Sequence, residues 1–460
     1  MEIGKLIAIA AGYTAYAITL LEIAAIIEIL SQRRRPASLI GWIMAIVFVP
    51  GIGVLLYYLF GNRKLKSKLR STKPIRFSKR NSKPLYEVEK ILTRRDIPPS
   101  TLNNRISLCK TSKEAYCELV KMIQEAKKEI LVEVYLFKND ETGAAIAREL
   151  AKKAKEGVDV KILIDAFGSI FLHLFPNRVS FLERSGAKLR FFMPIFSKKP
   201  ASAINLRNHR KAVIVDNKKV FTGGMNIGSE YLGPKTDRNK WLDAAVIIEG
   251  EAVSLYREIF AHDWEMTTGE KIKHLNSPPV QDRTRLQVVP SGPDIKSDAF
   301  YEALLSCVFF AKKRIWIITP YFIPDDSLME ALIIAAHRGV DVKIVTPLKS
   351  NHPSADFGRI GFLRELLEEG VEILLYKKMM HQKLVIVDED ITILGSANID
   401  VRSLFYNFEV MNFIYSEEFT HQSVKWLLEY LKDSVVKGLP PASKPRRIIE
   451  NIGKIISPVL

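Results

Sequence analysis

The chain has 460 residues, enough for two domains or one duplicated domain. Its 68 Lys and Arg against 51 Asp and Glu give a formal net charge of +17, which points to an anionic partner, either nucleic acid or an anionic membrane surface. Cys109, Cys117 and Cys307 have no metal-ligand spacing and form no even framework, and neither the P-loop nor the dinucleotide glycine fingerprint occurs, which argues against a zinc site, a disulfide scaffold and a nucleotide cofactor.

The chain opens with two apolar stretches. Leu6–Leu30 is interrupted only by Glu22 and Glu28, and Ser38–Phe60 has no charged residue. Each is long enough to span a bilayer, so residues 1–62 are predicted to form a transmembrane helical hairpin. A cleaved signal peptide fits poorly, because the run is long and lacks a small-residue cleavage site. A carboxylate at the depth of Glu22 must be protonated, paired or turned toward a polar cavity. Pro50, Gly51 and Gly53 leave a kinked or re-entrant path open for the second stretch. Arg33, Arg34 and Arg35 lie between the stretches, and Gly61–Arg80 then carries nine Lys and Arg and no acid. If both stretches span, these clusters face opposite sides, and the larger one is expected to hold the N-terminus and the body in the cytoplasm. Residues 63–102 thus read as a basic juxtamembrane linker suited to lipid headgroups.

From about Asn103 an α/β pattern begins. Helices are expected over Ser112–Ala126 and Thr142–Lys155, and strands over Ile130–Phe137 and Val158–Ile164. After a linker at 277–285 the pattern restarts, with helices at Ser297–Ala311 and Asp326–His337 and strands at Ile315–Thr319 and Val340–Thr346. The hexapeptide Gly-Val-Asp-Val-Lys-Ile occurs at both 157–162 and 339–344. The body is therefore predicted to be two duplicated α/β halves, 103–276 and 286–437, each with a mostly parallel sheet. The tail, 438–460, places Lys444, Arg446 and Arg447 before Ile448, Ile449, Ile452, Ile455 and Ile456. It suits a helix lying on a membrane or one packed on the body.

Each half holds one copy of a pattern. His209, Lys211, Asp216, Gly223 and Asn226 have the same spacing as His381, Lys383, Asp388, Gly395 and Asn398. The His and Lys are two apart, so on a strand they share a face. The paired H-x-K-x4-D segments resemble the phospholipase D superfamily. That resemblance implies two phospholipase D-like halves sharing one active-site cleft, with a phosphodiester as substrate. The residue types suit such a substrate. Lys211 and Lys383 can neutralise the non-bridging oxygens, while one imidazole attacks phosphorus and the other protonates the leaving alkoxide.

Further strings narrow the resemblance. They include Val49-Pro-Gly-Ile-Gly-Val-Leu-Leu-Tyr, Arg207-Asn-His-Arg-Lys, Phe221-Thr-Gly-Gly-Met-Asn-Ile, Pro290-Ser-Gly-Pro-Asp, Thr319-Pro-Tyr-Phe-Ile-Pro-Asp, Gly395-Ser-Ala-Asn-Ile-Asp-Val-Arg-Ser and Asn407-Phe-Glu. Together they look like the bacterial-type cardiolipin synthase family over nearly the whole chain. Gln382 stands where that family usually has Ala, and Leu242 where it has Arg, which removes a cation near the site. The resemblance implies transfer of a phosphatidyl group between two phosphatidylglycerol molecules at the plasma membrane, without metal or other cofactor. It implies His209 as the nucleophile and His381 as acid and then base, with Lys211, Lys383, Asn226 and Asn398 on the phosphoryl oxygens. Symmetry of the two copies does not distinguish the histidines. Asp243 and Glu409, 34 and 28 residues past their respective motif histidines, are candidates to fix the imidazole tautomers. Asp216 and Asp388 are expected to hold the motif loops through backbone hydrogen bonds. A phospholipase D hydrolase using water shares these motifs. A membrane-tethered nuclease and a non-catalytic scaffold fit less well. Nothing in the sequence specifies an oligomer.

Overall fold

The computed structural model describes residues 2–32, 36–61, 75, 77, 82–194, 205–235, 240–295, 297–432 and 434–456. Arg33 to Arg35, most of the Gly61–Arg80 basic run and the last four residues of the tail lie outside the described residues. The chain divides into two compact units, Met1–Leu69 with Ser197–Leu206, and Arg70–Phe196 with Arg207–Leu460.

The first unit contains helices α1 (Glu2–Leu30), α2 (Pro36–Phe48) and α3 (Ile52–Phe60). Among the described residues, one helical stretch, Gly12–Leu30, is long and apolar enough to cross a membrane. The second apolar stretch does not form the single spanning helix expected for a hairpin. It breaks after Phe48, where Pro50 has no N–H to donate and Gly51 adopts φ +71°. The chain then turns back on itself. The Trp42 and Tyr57 rings meet edge-on at 5.6 Å, whereas a continuous helix would separate them by about 22 Å. Gly53 permits the turn, because a Cβ there would lie 2.3 Å from the Ala45 carbonyl oxygen. Glu22 resolves as the paired carboxylate. Its Oε1 accepts the Gly51 backbone N–H at 3.0 Å, at the start of α3. Near the other end of α3, Tyr58 donates to Glu28 at 3.1 Å, and Gln32 donates to the Tyr57 hydroxyl at 3.1 Å. Ala25, Ile29, Ile46, Val54 and Tyr57 form the small core of this unit.

The second unit is built on one 15-stranded sheet. Its two central strands, Thr101–Cys109 and Thr284–Ser291, pair antiparallel and begin the two halves. Outward from Thr101–Cys109 run Ala245–Gly250, Lys219–Gly223, Ala212–Val215, Glu129–Val134, Asp159–Asp165 and Lys188–Phe192. Outward from Thr284–Ser291 run Glu409–Tyr415, Ile391–Gly395, Leu384–Val387, Arg314–Ile318, Asp341–Pro347 and Glu372–Tyr376, with Val435–Lys437 at the edge. The same chain order on both sides is the duplication in three dimensions.

The predicted helices and outer strands form within a residue or two of their expected limits, except that the strand expected over Ile130–Phe137 ends at Val134. The sheet is mixed, however, rather than mostly parallel. Only the outer pairings are parallel, Glu129–Val134 with Asp159–Asp165 and the latter with Lys188–Phe192, together with their counterparts in the second half. Each motif strand instead turns straight back into its neighbour. In the first half this turn is Asp216-Asn217, both at φ +52°, the left-handed pair that a tight hairpin requires.

Apolar side chains fill a separate core in each half. Ile130, Val132, Ile162 and Val213 belong to one, and Ile315, Ile317, Ile344 and Val385 to the other. Part of the expected linker joins the second core, for Glu87–Arg94 is a helix that buries Val88 and Leu92 beside Phe300 and Leu304. In the tail, the helix Lys444–Ile456 packs on Pro353–Glu368, with Glu450 accepting from Arg364 at 2.7 Å. Ile448, Ile449, Ile452 and Ile455 of that helix remain exposed.

Candidate active site

The two motif histidines lie just before the buried strands Ala212–Val215 and Leu384–Val387. Each is anchored by the opposite half. The His209 N–H donates to the Phe408 carbonyl at 2.8 Å, and the His381 N–H to the Leu242 carbonyl at 2.7 Å. These backbone bridges carry Glu409 to His209 and Asp243 to His381. Both Glu409 oxygens lie close to His209 Nδ1, at 2.9 and 3.1 Å, and Ser396 Oγ donates to Glu409 at 2.5 Å. Asp243 Oδ2 lies 2.8 Å from His381 Nδ1. The carboxylate partners are thus exchanged between the halves, which their sequence distances from the nearer histidine did not indicate. With Nδ1–H held by a carboxylate, each imidazole presents Nε2 to the reaction.

Lys211 Nζ donates to the His209 carbonyl at 2.7 Å, and Lys383 Nζ donates to the His381 carbonyl. Lys383 Nζ also lies 2.9 Å from His381 Nδ1. Because Asp243 requires that nitrogen to carry its proton, this second contact is repulsive. Burial, joined by Lys383, pushes the His381 pKa down to about 3 against the pull of Asp243. Burial also lowers His209, partly opposed by Glu409. It brings Lys211 down to about 7 and Lys383 to about 8. Burial works to raise Glu409, but His209, Lys211 and Ser396 hold it below the usual carboxylate range.

Asn226 and Asn398 are buried close by. Asn226 Oδ1 accepts from the Leu136 N–H at 3.3 Å, whereas Asn398 Oδ1 has no partner among the described residues. Asp216 and Asp388 sit past the far ends of the motif strands, about 20 Å along the chain from the histidines. Asp216 accepts backbone N–H groups of Lys127, Lys128 and Glu129, and Asp388 those of Lys312, Lys313 and Arg314. They tie turns together and do not touch the histidines. The Thr319–Asp325 stretch pairs Phe322 and Ile323 with Ile399 and Asp400, directly after Asn398.

Four further neighbours complete the surroundings of the histidines, of which only Ser396 lies in one of the motif strings. Tyr135 meets His209 edge-on at 5.0 Å, and Tyr231 does the same to His381. Trp241 lies 5.8 Å from His381, and Ser396 holds Glu409. Beneath His209, the fully buried Arg210 pairs with Asp263 at 2.5 Å and Asp294 at 3.2 Å. In the second half Gln382 takes the Arg210 position, and its buried amide has no partner among the described residues. His262, Asp263 and Asp294 bring three ligand-type atoms together. The Arg210 guanidinium already neutralises that cluster, so it does not fit a cation.

The charges have a testable consequence. Two buried lysines face Asp243 and Glu409, and a bound phosphodiester would add one negative charge. That anion raises the pKa of every group around it. Above pH 7, Lys211 and then Lys383 lose protons in the unliganded protein, and binding restores them. A short-chain phosphodiester is therefore expected to bind with uptake of between one and two protons at about pH 8, and to weaken by more than about tenfold per unit between pH 8 and 9. Calorimetry in buffers of different ionisation enthalpy reads the uptake, and pH-independent binding would contradict the charge balance.

Paired histidines and lysines at the junction of two duplicated α/β halves define a phospholipase D-like protein. The comparisons narrow this class. A family model described as "Cardiolipin synthase, PLD-like domain" matches residues 119–264 and 304–431, and one described as "Phospholipase D-nuclease N-terminal" matches 20–62. A cardiolipin synthase of Clostridium perfringens strain 13 is 33% identical, over 93% of this chain and 95% of that protein. One of Geobacillus thermodenitrificans is 30% identical, over 93% and 90%. Phosphatidylserine synthase of Haemophilus influenzae shares the fold, with a TM-score of 0.61 at 15% identity, over 82% of this chain and all of that one. The chain belongs to the cardiolipin synthase family.

Proposed function

We propose that the protein is a membrane-bound cardiolipin synthase that moves a phosphatidyl group from one phosphatidylglycerol to another. The observation that carries this reading is the exchanged pairing, His209 with Glu409 and His381 with Asp243, which makes both halves parts of one site. His209 Nε2 attacks phosphorus while His381 Nε2 gives its proton to the departing glycerol oxygen. The substrate anion favours that protonation, because it opposes the field of the lysines that, together with burial, depresses His381. A phosphatidyl group is then bonded to His209. In the second step His381 takes the proton from a hydroxyl of a second phosphatidylglycerol, whose oxygen attacks phosphorus and displaces His209. Cardiolipin and glycerol leave, and both imidazoles are restored. Lys211, Lys383 and the side-chain amides of Asn226 and Asn398 neutralise the phosphoryl oxygens as charge builds. Asp216 and Asp388 serve the same site indirectly by fixing the turns.

The apolar first unit anchors the enzyme in the membrane. The nine cations of Gly61–Arg80 favour a cytoplasmic catalytic body and contact with anionic headgroups. The purified protein in mixed micelles, given labelled phosphatidylglycerol alone, is expected to release glycerol and form labelled cardiolipin. EDTA should leave the rate unchanged, because two lysines supply the positive charge a metal would. Phosphatidic acid as the main product would make the enzyme a hydrolase. Loss of activity in EDTA with recovery on one divalent ion would contradict the metal-free chemistry.

A further inference from the structure

Two readings of the first unit differ in a measurable way. If both apolar stretches cross the bilayer, Arg33, Arg34 and Arg35 lie on one face and the Gly61–Arg80 cations on the other, against the charge rule. The geometry of α1 to α3 removes that conflict. The ends of α1 and α3 come together through Gln32 with Tyr57 and Glu28 with Tyr58. The turn between α2 and α3 meets α1 at Glu22. Glu22 lies eight residues before Leu30, about 12 Å along the helix. That depth is less than half of a hydrocarbon layer of about 30 Å. The lengths agree, for the 13 residues of α2 and 9 of α3 extend about 20 and 14 Å, and neither crosses alone.

We propose that the chain crosses the bilayer once, through α1, and that α2 and α3 form a re-entrant hairpin in the cytoplasmic leaflet. Its partner is the acyl chains of that leaflet. Ile40, Met44, Val47, Phe48, Ile52 and Leu55 are exposed along its surface, and Phe48 at the turn is 73% exposed. Glu22 meets the backbone N–H at the start of α3, so the carboxylate and the helix terminus satisfy each other where water is scarce. Entry and exit on one face put Arg33 to Arg35 and the nine cations of Gly61–Arg80 together in the cytoplasm. Lys5 is the one cation before α1 reaches its apolar stretch, and it stands on the outer face. This inference rests on the cytoplasmic placement of the body proposed above, and the test separates the two.

The full chain is expressed in cells with Cys117→Ser, which removes the exposed thiol and leaves the buried Cys109 and Cys307. Lys5→Cys or Lys68→Cys is added, and variants that retain phosphatidyl transfer in membranes are treated with a membrane-impermeant maleimide before and after permeabilisation. Labelling of residue 5 in intact cells, with residue 68 labelled only after permeabilisation, is the expected result. Both protected, or both labelled, means an even number of crossings and overturns the re-entrant hairpin. Residue 68 labelled with residue 5 protected retains one crossing but overturns the cytoplasmic placement of the body.

Discussion

His209→Ala and His381→Ala are each expected to lower phosphatidyl transfer by about 10⁴-fold or more, with the folded state retained. Neither histidine has a stand-in. In the proposed mechanism His209 Nε2 forms the bond to phosphorus, and His381 supplies and removes the proton. The folded state should survive because the backbone bridges from the motif segments to Phe408 and Leu242 do not involve imidazole. Circular dichroism and thermal melting check the fold, and turnover of labelled phosphatidylglycerol checks the rate. Either variant retaining more than about a tenth of the parent rate would contradict the shared site. The double variant should be hardly slower than either single one, since both act in one reaction unit.

Glu409→Gln and Asp243→Asn are expected to cost on the order of 10³-fold each, with little change in substrate binding. The carboxylates are isosteric with the amides, so packing is conserved. What changes is the hydrogen-bond direction. An amide NH₂ facing Nδ1 favours the tautomer with the proton on Nε2, and that nitrogen then has no lone pair for phosphorus. Removing a carboxylate also leaves one lysine charge uncompensated in a buried site. The loss should therefore appear in kcat, while KM moves little. If Asp243→Asn and Glu409→Gln remain near the parent rate, these carboxylates are only packing partners.

Much of the site could be read from the chain because the chemistry repeats. His209, Lys211 and Asn226 recur in register as His381, Lys383 and Asn398, and the flanking apolar tetrapeptides mark buried strands. Asp243 and Glu409 were identifiable as carboxylates near the motifs, but not as partners of the opposite histidines. That exchange depends on bridges between residues about 140 to 200 positions apart, and no local spacing encodes it. The motif hairpins were legible in principle, since Asp216-Asn217 is a turn pair that accepts left-handed backbone. The alternation of strands and helices elsewhere masked them and suggested a mostly parallel sheet. In the first unit, hydropathy reads Ser38–Phe60 as one continuous stretch. The reversal at Pro50 and Gly51 leaves that sum unchanged, so it shows only where Gly53 meets Ala45 and Trp42 meets Tyr57. The symmetry of the motifs also concealed a difference beneath them. Arg210 with Asp263 and Asp294 supports the first histidine, whereas Gln382 occupies the same place in the second half.

Trapping the adduct answers which histidine carries the phosphatidyl group of the proposed mechanism. The His381→Ala enzyme is given a phosphatidyl ester of an acidic phenol, whose departure needs no proton. The second step still requires a base, so the adduct accumulates. Denaturing quench and peptide mapping should find an acid-labile, base-stable phosphatidyl group on the peptide containing His209. The same group on the His381 peptide of the His209→Ala enzyme, with none on His209, would exchange the two roles. No adduct in either enzyme, together with single-displacement kinetics, would contradict the covalent mechanism.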